Sequence, residues 1–110
     1  MHGPRNPEAA RSLSRQGAEI ALVPNCCDLA TDRAIGDVRI AQTRGRAFET
    51  VMGIAVANYP SPRCGGHSFA TDASGRIIAT ANASERLVLA TFDLAAIGRM
   101  RNQDRFRWHY

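Results

Sequence analysis

The sequence predicts an α/β fold, built of layered helices and strands. Helix and strand patterns alternate through the first half of the chain, and three β-rich runs follow in the second half. The chain has 110 residues and an apolar fraction of 45%, which is enough for one small globular domain. We find no internal repeat and no boundary that divides the chain into two domains.

The first predicted elements are a helix over residues 7–16 and a short strand over residues 18–23. Pro7 suits the first turn of a helix, and an early acid with a late arginine matches the helix dipole. Gly17 stands where a left-handed helix cap is expected. We expect Pro24 to end the strand.

A second helix is predicted over residues 37–52, after a loop over residues 25–34 that shows no periodicity. Apolar residues lie on roughly one stripe of this helix. The apolar run over residues 53–59 then predicts a second strand. Together these elements give the helix–strand alternation of a layered α/β protein.

The second half contains the β-rich runs "HSFATD", "RIIATA" and "RLVLATFDL", each of which predicts a strand. The sequence Ala73-Ser74-Gly75 predicts a hairpin turn between the first two runs. Asp93 ends the third run and is a suitable N-cap for a helix over residues 94–100. The polar and aromatic residues after this helix predict a tail.

The net charge is +4, and all fourteen basic residues are arginine, with no lysine in the sequence. The arginine guanidinium binds phosphate groups well, so a small arginine-rich nucleic-acid-binding module is one candidate function. The arginines are scattered, with acidic residues between them, and cluster only over residues 99–107. This distribution makes nucleic-acid binding the alternative rather than the leading hypothesis.

No apolar run reaches the roughly 18 residues that a transmembrane helix needs. The N-terminus also lacks the apolar stretch of a signal peptide, so we predict a cytoplasmic protein. The three cysteines, Cys26, Cys27 and Cys64, are an odd number and include an adjacent pair. We therefore predict reduced thiols.

No catalytic set assembles from sequence neighbours. His67 and Ser68 are adjacent, but neighbouring residues on a strand point to opposite faces, so a structural role is favoured. Cys64 and His67 have a metal-ligand spacing but give only two of the four ligands that zinc requires. Cys26 and Cys27 could supply two more, but adjacent cysteines seldom bind one metal well, so no metal or other cofactor is predicted. Cys26 or Cys27 as a nucleophile lacks a nearby base and remains a minor alternative.

Five segments, taken in order, resemble the C-terminal half of the nitrilase superfamily, the carbon–nitrogen hydrolases. They are "PEAARSLSRQGAEIALVP", "TRGRAFET", "GIAVAN", "GGHSFATDASGRIIA" and "ERLVLATFDLAAI". The resemblance covers residues 7–110 as a partial hydrolase domain and leaves residues 1–6 unmatched. It implies half of a four-layer αββα sandwich, with a mixed sheet and helices on one of its faces.

The resemblance also implies which residues matter. The family hydrolyses nitriles, amides or carbamoyl groups with Glu, Lys and Cys, and its nucleophile position falls on Met1, a thioether that cannot form a thiolate. The family's Glu and Lys positions lie upstream of this sequence, and no lysine is present to replace the Lys. The residues that match the family pattern are structural ones, namely Arg46, Glu49, Asn58, His67 and Ser68.

We therefore expect a hydrolase fragment that is inactive alone. The loop after "VP" borders the substrate pocket in the family, which makes Asn25 a candidate pocket residue. Half of a sandwich leaves an apolar sheet face uncovered, so the expected partner is a complementary N-terminal half or a second copy of this chain. Without it we expect dimerisation, aggregation or partial order.

Overall fold

The computed structural model describes residues 7–25, 33–85 and 87–103. Its elements are α1 (Pro7–Arg15), β1 (Ile20–Asn25), α2 (Arg33–Thr50), β2 (Gly53–Asn58), β3 (Phe69–Thr71), β4 (Ile77–Thr80) and α3 (Leu94–Gln103). The four strands form one sheet in the order β1-β2-β3-β4. Strands β1 and β2 are parallel, and the other two pairs are antiparallel, so the sheet is mixed as predicted.

The first helix–strand unit has the predicted cap at the end of α1 but differs from the prediction at the end of β1. Gly17 has a φ of +99°, and the N–H groups of Gly17 and Ala18 donate to the carbonyls of Ser14 and Leu13, which caps α1. Strand β1 continues through Pro24 to Asn25, whereas the sequence predicted that Pro24 would end it. Because β1 is an edge strand among the described residues, a missing N–H is tolerated there.

Helix α2 differs from its prediction at both ends. It begins at Arg33, four residues before the predicted start, and ends at Thr50, two residues before the predicted end. Val51 then takes a left-handed φ of +53°, and the N–H of Met52 donates to the carbonyl of Ala47. The apolar stripe identified the helix but not its termini, which depend on backbone partners outside the stripe.

The main core lies between the sheet and α2. Val23, Ile54, Val56 and Phe69 share one face of the sheet and are buried together with Ala47 of α2. The register places Val23 beside Val56, and Val56 beside Phe69, which explains why this face is continuous across three strands. We call it the covered face.

The opposite face of the sheet, which we call the far face, carries Leu22, Ala55, Ala57 and Ala70. The same register aligns Leu22 with Ala55 and Ala55 with Ala70. Leu22 is 75% exposed, so no described element covers this end of the far face.

The hairpin and the last helix follow their predicted caps. Gly75 has a φ of +84° in the turn between β3 and β4, which are antiparallel. A carboxylate oxygen of Asp93 accepts the N–H of Ala96 at 3.0 Å, which confirms the predicted N-cap of α3. Ile97 of α3 packs with Val51 and Ala73 in a second, smaller core cluster.

The third β-rich run is not a strand in this structure. Residues 87–93 have no strand assignment, although their side chains alternate between more and less exposed. The aromatic ring of Phe92 lies against Gly53, on the far face of the sheet. Alternation predicts an extended amphipathic segment, but only a hydrogen-bonded neighbour makes such a segment a strand.

Candidate functional site

The candidate site lies where the parallel strands β1 and β2 end. Asn25 and Asn58 are the last residues of these strands and are register partners. The carboxyl ends of parallel strands are a common place for binding sites in α/β proteins. The structure therefore brings the predicted pocket residue Asn25 next to Asn58, one of the residues that match the family pattern.

Asn58 connects the end of β2 to the chain that leads into β3. Its side chain is buried, and Nδ2 donates to the carbonyl of Gly66 at 2.8 Å. Its backbone N–H donates to Oγ of Ser68 at 2.8 Å, and that hydroxyl donates to the Asn58 carbonyl at 3.2 Å. Since the Ser68 hydroxyl is engaged as both acceptor and donor, its geometry favours a structural role over that of a nucleophile.

The loop over residues 59–68 is held in an unusual backbone conformation. His67 has a left-handed φ of +57°, which is rare for a residue with a side chain, and Gly66 has a φ of +68°. A Cβ at Gly66 would lie 2.3 Å from the carbonyl oxygen of Ala83, so only glycine fits there. The N–H of His67 donates to the backbone carbonyl of Asn82 at 3.2 Å, which fixes the loop to the chain after β4.

Aromatic and proline residues shape the exposed side of the same loop. The guanidinium carbon of Arg63 lies 4.8 Å from the ring centroid of Tyr59, a cation–π contact. The N–H of Ser61 donates to the carbonyl of Ala83 at 2.8 Å. The peptide bond between Ser61 and Pro62 is cis.

Arg46 and Glu49 do not join this cluster. They lie on α2, where Nη1 of Arg46 is hydrogen-bonded to Oε1 of Glu49. Nε of Arg11, on α1, is 4.0 Å from the same carboxylate oxygen. These charges therefore join the two helices.

Other arginines of the described chain are also used internally. Nε of Arg44 donates to the carbonyl of Gly75 at 2.7 Å, and the guanidinium of Arg101 donates to the carbonyls of Val51 and Ala18. Burial lowers the pKa of Arg101, and the nearby charge of Glu19 raises it in part. Arginines used in this way stabilise the fold and are less available to bind phosphate.

The prediction of three reduced thiols is wrong for Cys64, because this residue is disulfide-bonded. A disulfide requires Cα atoms within about 7 Å of each other, a distance that the tertiary fold sets and sequence spacing does not reveal. Met1, Cys26 and Cys27, the other residues weighed for nucleophilic chemistry, lie outside the described residues. Cys64 itself is not available as a thiolate nucleophile or metal ligand while it is bonded.

Neither a cluster of metal ligands nor a membrane-spanning helix is present among the described residues. No three His, Cys, Asp or Glu side chains lie close enough to hold a metal ion within residues 7–25, 33–85 and 87–103. Over the same residues, none of the helices combines the length and apolar character of a membrane span.

Sequence reasoning missed the residues that hold the loop in place. Gly66, Asn82 and Ala83 fix its conformation, but none of them was singled out. The Gly65-Gly66 pair was the available indication, since paired glycines mark backbone that needs unusual dihedral angles. Nothing in the local sequence marks Ala83, because its contribution is a backbone carbonyl.

Comparison with solved structures identifies the class of protein to which this fold belongs. A carbon–nitrogen hydrolase from Helicobacter pylori G27 superimposes with a TM-score of 0.82 at 23% identity, over 94% of this chain and 41% of that one. Nit3 from Saccharomyces cerevisiae, a member of branch 10 of the nitrilase superfamily, gives a TM-score of 0.77 at 25% identity, over 91% of this chain and 38% of its own. The fold is half of a four-layer αββα sandwich, as the resemblance implied.

The amino-acid sequence also shows to which family the chain belongs. Residues 3–102 match the carbon–nitrogen hydrolase family, and the chain belongs to it. A relative described as "Hydrolase in pqqF 5'region", from Pseudomonas protegens, is 37% identical over 105 residues. That match covers 91% of this chain but only 35% of the relative, so the chain spans about a third of this curated relative.

Proposed function

We propose that this chain is the scaffold part of a carbon–nitrogen hydrolase and does not hydrolyse substrate unaided. The observation that carries the proposal is the complete absence of lysine from the 110 residues. The family resemblance assigns to a lysine the stabilisation of charge as the tetrahedral intermediate forms. Arginine does not replace it simply, because a guanidinium presents a wide planar fork where an ammonium is a compact charge.

The remaining catalytic groups would also come from outside this sequence. A cysteine thiolate attacks the substrate carbon in this chemistry, a thioester forms, and a glutamate moves protons to the leaving amine and from the attacking water. The resemblance places Met1 at the nucleophile position and the other two groups upstream. We propose that they are supplied by a second polypeptide or by an upstream part of the same protein.

The contribution of this chain is the wall of the substrate pocket. Asn25 and Asn58 stand side by side at the ends of β1 and β2, and the Asn58 side chain holds the loop at Gly66. The Asn58 amide is engaged internally, so it positions the loop, whereas Asn25 is the residue we propose to face substrate. A rigid scaffold that carries a pocket loop is how α/β enzymes commonly arrange their sites.

Ammonia release tests the proposal. The purified chain is incubated with small aliphatic amides, nitriles and N-carbamoyl compounds, first alone and then with the part of the P. protegens hydrolase that it does not match. We expect no release above buffer from either polypeptide alone and measurable release from the mixture. Hydrolysis by this chain alone would contradict the proposal. Sequencing the DNA upstream of the Met1 codon then distinguishes a second polypeptide from a longer reading frame.

The cytoplasmic location stays a prediction. A disulfide at Cys64 is more typical of an oxidising compartment. Counting free thiols in protein extracted under alkylating, non-reducing conditions decides between the cytoplasm and an oxidising compartment. Three free thiols support the cytoplasm, and one free thiol supports an oxidised protein.

Nucleic-acid binding stays a prediction of the arginine-rich composition. It requires affinity that falls steeply as salt concentration rises. Titration of a labelled oligonucleotide at two salt concentrations is the corresponding measurement.

A further inference from the structure

The loop over residues 59–68 carries a charged side chain that the fold does not use. The guanidinium carbon of Arg63 lies 4.8 Å from the ring centroid of Tyr59, and both residues are exposed. Within residues 7–25, 33–85 and 87–103, the Arg63 guanidinium forms no ion pair with a carboxylate and donates no hydrogen bond. Its N–H donors are therefore open to a ligand from solvent.

Arg63 differs in this respect from arginines elsewhere in the fold. Arg46 is hydrogen-bonded to the carboxylate of Glu49, and Arg101 donates to two backbone carbonyls. Arg63 lies instead in a stretch, residues 50–71, that contains no Asp or Glu and no other arginine. No acidic neighbour in this stretch neutralises its charge.

The backbone that carries Arg63 is fixed. The N–H of Ser61 donates to the carbonyl of Ala83 at 2.8 Å, which ties the loop to the chain after β4. The N–H of Gly66 donates to the carbonyl of Tyr59 at 2.8 Å, which closes the loop onto the end of β2. A cation that is already held in place loses less conformational entropy on binding than a mobile surface side chain does.

The loop starts at the edge of the sheet where the candidate site lies. Tyr59 directly follows Asn58, whose register partner is Asn25, the residue that we propose to face substrate. Adjacent strands lie about 4.8 Å apart and consecutive Cα atoms about 3.8 Å apart, so the Cα of Tyr59 is within about 9 Å of that of Asn25. A small molecule bound at Asn25 is therefore near the Tyr59–Arg63 pair.

We propose that Arg63, supported by the Tyr59 ring, determines substrate specificity by binding a carboxylate that the substrate carries in addition to its C–N bond. A guanidinium presents N–H donors in a planar fork that matches the two oxygens of a carboxylate. The ring attracts the cation without neutralising its charge. The inference rests on the proposed function and deepens it by naming a substrate class, namely small amides or carbamoyl compounds that bear a carboxylate.

A small carboxylate fits this site better than the phosphate backbone of a nucleic acid. Proteins that bind nucleic acid neutralise several phosphates with several cations. The stretch over residues 50–71 offers a single arginine and no lysine. One guanidinium beside a pocket residue is suited to one anionic group.

The experiment compares two substrates of equal length on the assembled hydrolase, formed from the full chain and the part of the P. protegens hydrolase that it does not match. One substrate is a straight-chain amide that ends in a carboxylate, and the other is the corresponding neutral diamide. Ammonia release gives kcat and KM for each. We expect KM to be at least about tenfold lower for the carboxylate substrate, because only its carboxylate can pair with Arg63.

Substitutions at Arg63 assign this preference to its side chain. Arg63→Ala should abolish the preference, whereas Arg63→Lys should keep part of it, because lysine retains the charge but not the fork. Arg99→Ala is the matched control and should keep the whole preference. Arg99 is also an exposed arginine, but it lies on α3, whose Arg101 bonds to Ala18 before the start of β1. Urea unfolding of each variant shows whether it is folded.

A binding measurement tests the same contact without catalysis. The full chain alone is titrated with succinate, a small dicarboxylate, and the side-chain Nε–H signals of Arg63 and Arg99 are followed by NMR. We expect a saturable shift of the Arg63 signal and no saturable shift of the Arg99 signal. The midpoint of the Arg63 titration should move to higher succinate concentration as salt is added, because salt screens an exposed ion pair.

The outcomes separate the specificity proposal from the proposed function. Equal KM values for the two substrates, or a preference that survives Arg63→Ala, overturn the specificity proposal and leave the function standing. An equal rise in KM for both substrates in Arg63→Ala shows that Arg63 only holds the loop, and it also overturns the specificity proposal. Saturable succinate binding at Arg63 without ammonia release from either substrate supports carboxylate binding and overturns the function. The absence of both results overturns both proposals.

Discussion

Replacing Gly53 by alanine should destabilise the protein through the Phe92 ring. The added Cβ would lie 2.5 and 2.6 Å from two ring carbons, where ordinary carbon contacts are about 3.5–4.0 Å. The ring must therefore move by about 1 Å, and overpacking of this kind costs about 1–3 kcal/mol. Without the ring the same substitution should stabilise the protein, because alanine is more favourable than glycine inside a strand by about 0.5–1 kcal/mol.

A double-mutant cycle isolates this contact. Urea unfolding at low protein concentration is measured for the parent chain, Gly53→Ala, Phe92→Ala and the double variant. We expect a coupling energy of about 2–3 kcal/mol, far above the few tenths seen for independent sites. Gly45→Ala is the control, because nothing lies within 4 Å of its added Cβ on α2 and it should stabilise by about 1 kcal/mol.

The reasoning is refuted if Gly53→Ala costs the same, within about 0.5 kcal/mol, with and without the Phe92 ring. Such a result would mean that Phe92 does not rest on Gly53 in solution. The packing of residues 87–92 on the far face would then lose its most direct support.

Three further substitutions probe the candidate site and the hairpin. Asn58→Ala should cost about 1–3 kcal/mol in urea unfolding, because it leaves the Gly66 carbonyl without its buried donor, and should speed amide exchange in residues 59–68. Gly66→Ala should cost at least about 2 kcal/mol in the same assay, since it adds backbone strain to a clash with Ala83, and unchanged stability would contradict the loop geometry. Burial raises the pKa of Asp72, but hydrogen bonds from Ser74 and Arg76 outweigh it, so the pKa lies below the ordinary 3.8. Stability from this depressed pKa is complete above that ordinary value and is lost as pH falls through the folded-state pKa, and Asp72→Asn should flatten this acid limb of the urea midpoint.

The sequence predicted those parts of the fold that depend on neighbours in the chain. Gly17 ends α1, the turn at Ser74-Gly75 joins β3 to β4, and Asp93 caps α3, each through groups within a few residues. Such local rules operate wherever the residue types occur, so a single sequence suffices to apply them.

Features that depend on distant partners were predicted poorly. Pro24 lies inside β1 because the strand is at an edge of the described sheet, and edge position is a property of the assembled sheet. The run over residues 87–93 has the composition of a strand but is paired with no strand among residues 7–25, 33–85 and 87–103. Cys64 was judged by sequence spacing, although the fold decides which sulfur atoms meet.

The candidate site likewise combines residues that the sequence predicted with backbone contacts that it did not. The family resemblance named Asn25, Asn58, His67 and Ser68, and the structure places them at one sheet edge or in the loop beside it. The resemblance did not reveal how the loop is held, because that depends on backbone carbonyls such as those of Gly66 and Ala83. Residue identity carries no information about a carbonyl that every residue possesses.

The hydrogen bonds of Arg101 have a consequence for the order in which the protein folds during synthesis. Its guanidinium donates to the carbonyl of Ala18, just before β1, and to that of Val51, just after α2. The first of these two acceptors leaves the ribosome more than eighty residues before its donor. Chain growth from the N-terminus therefore leaves the entrance of β1 without this donor until α3 has been made.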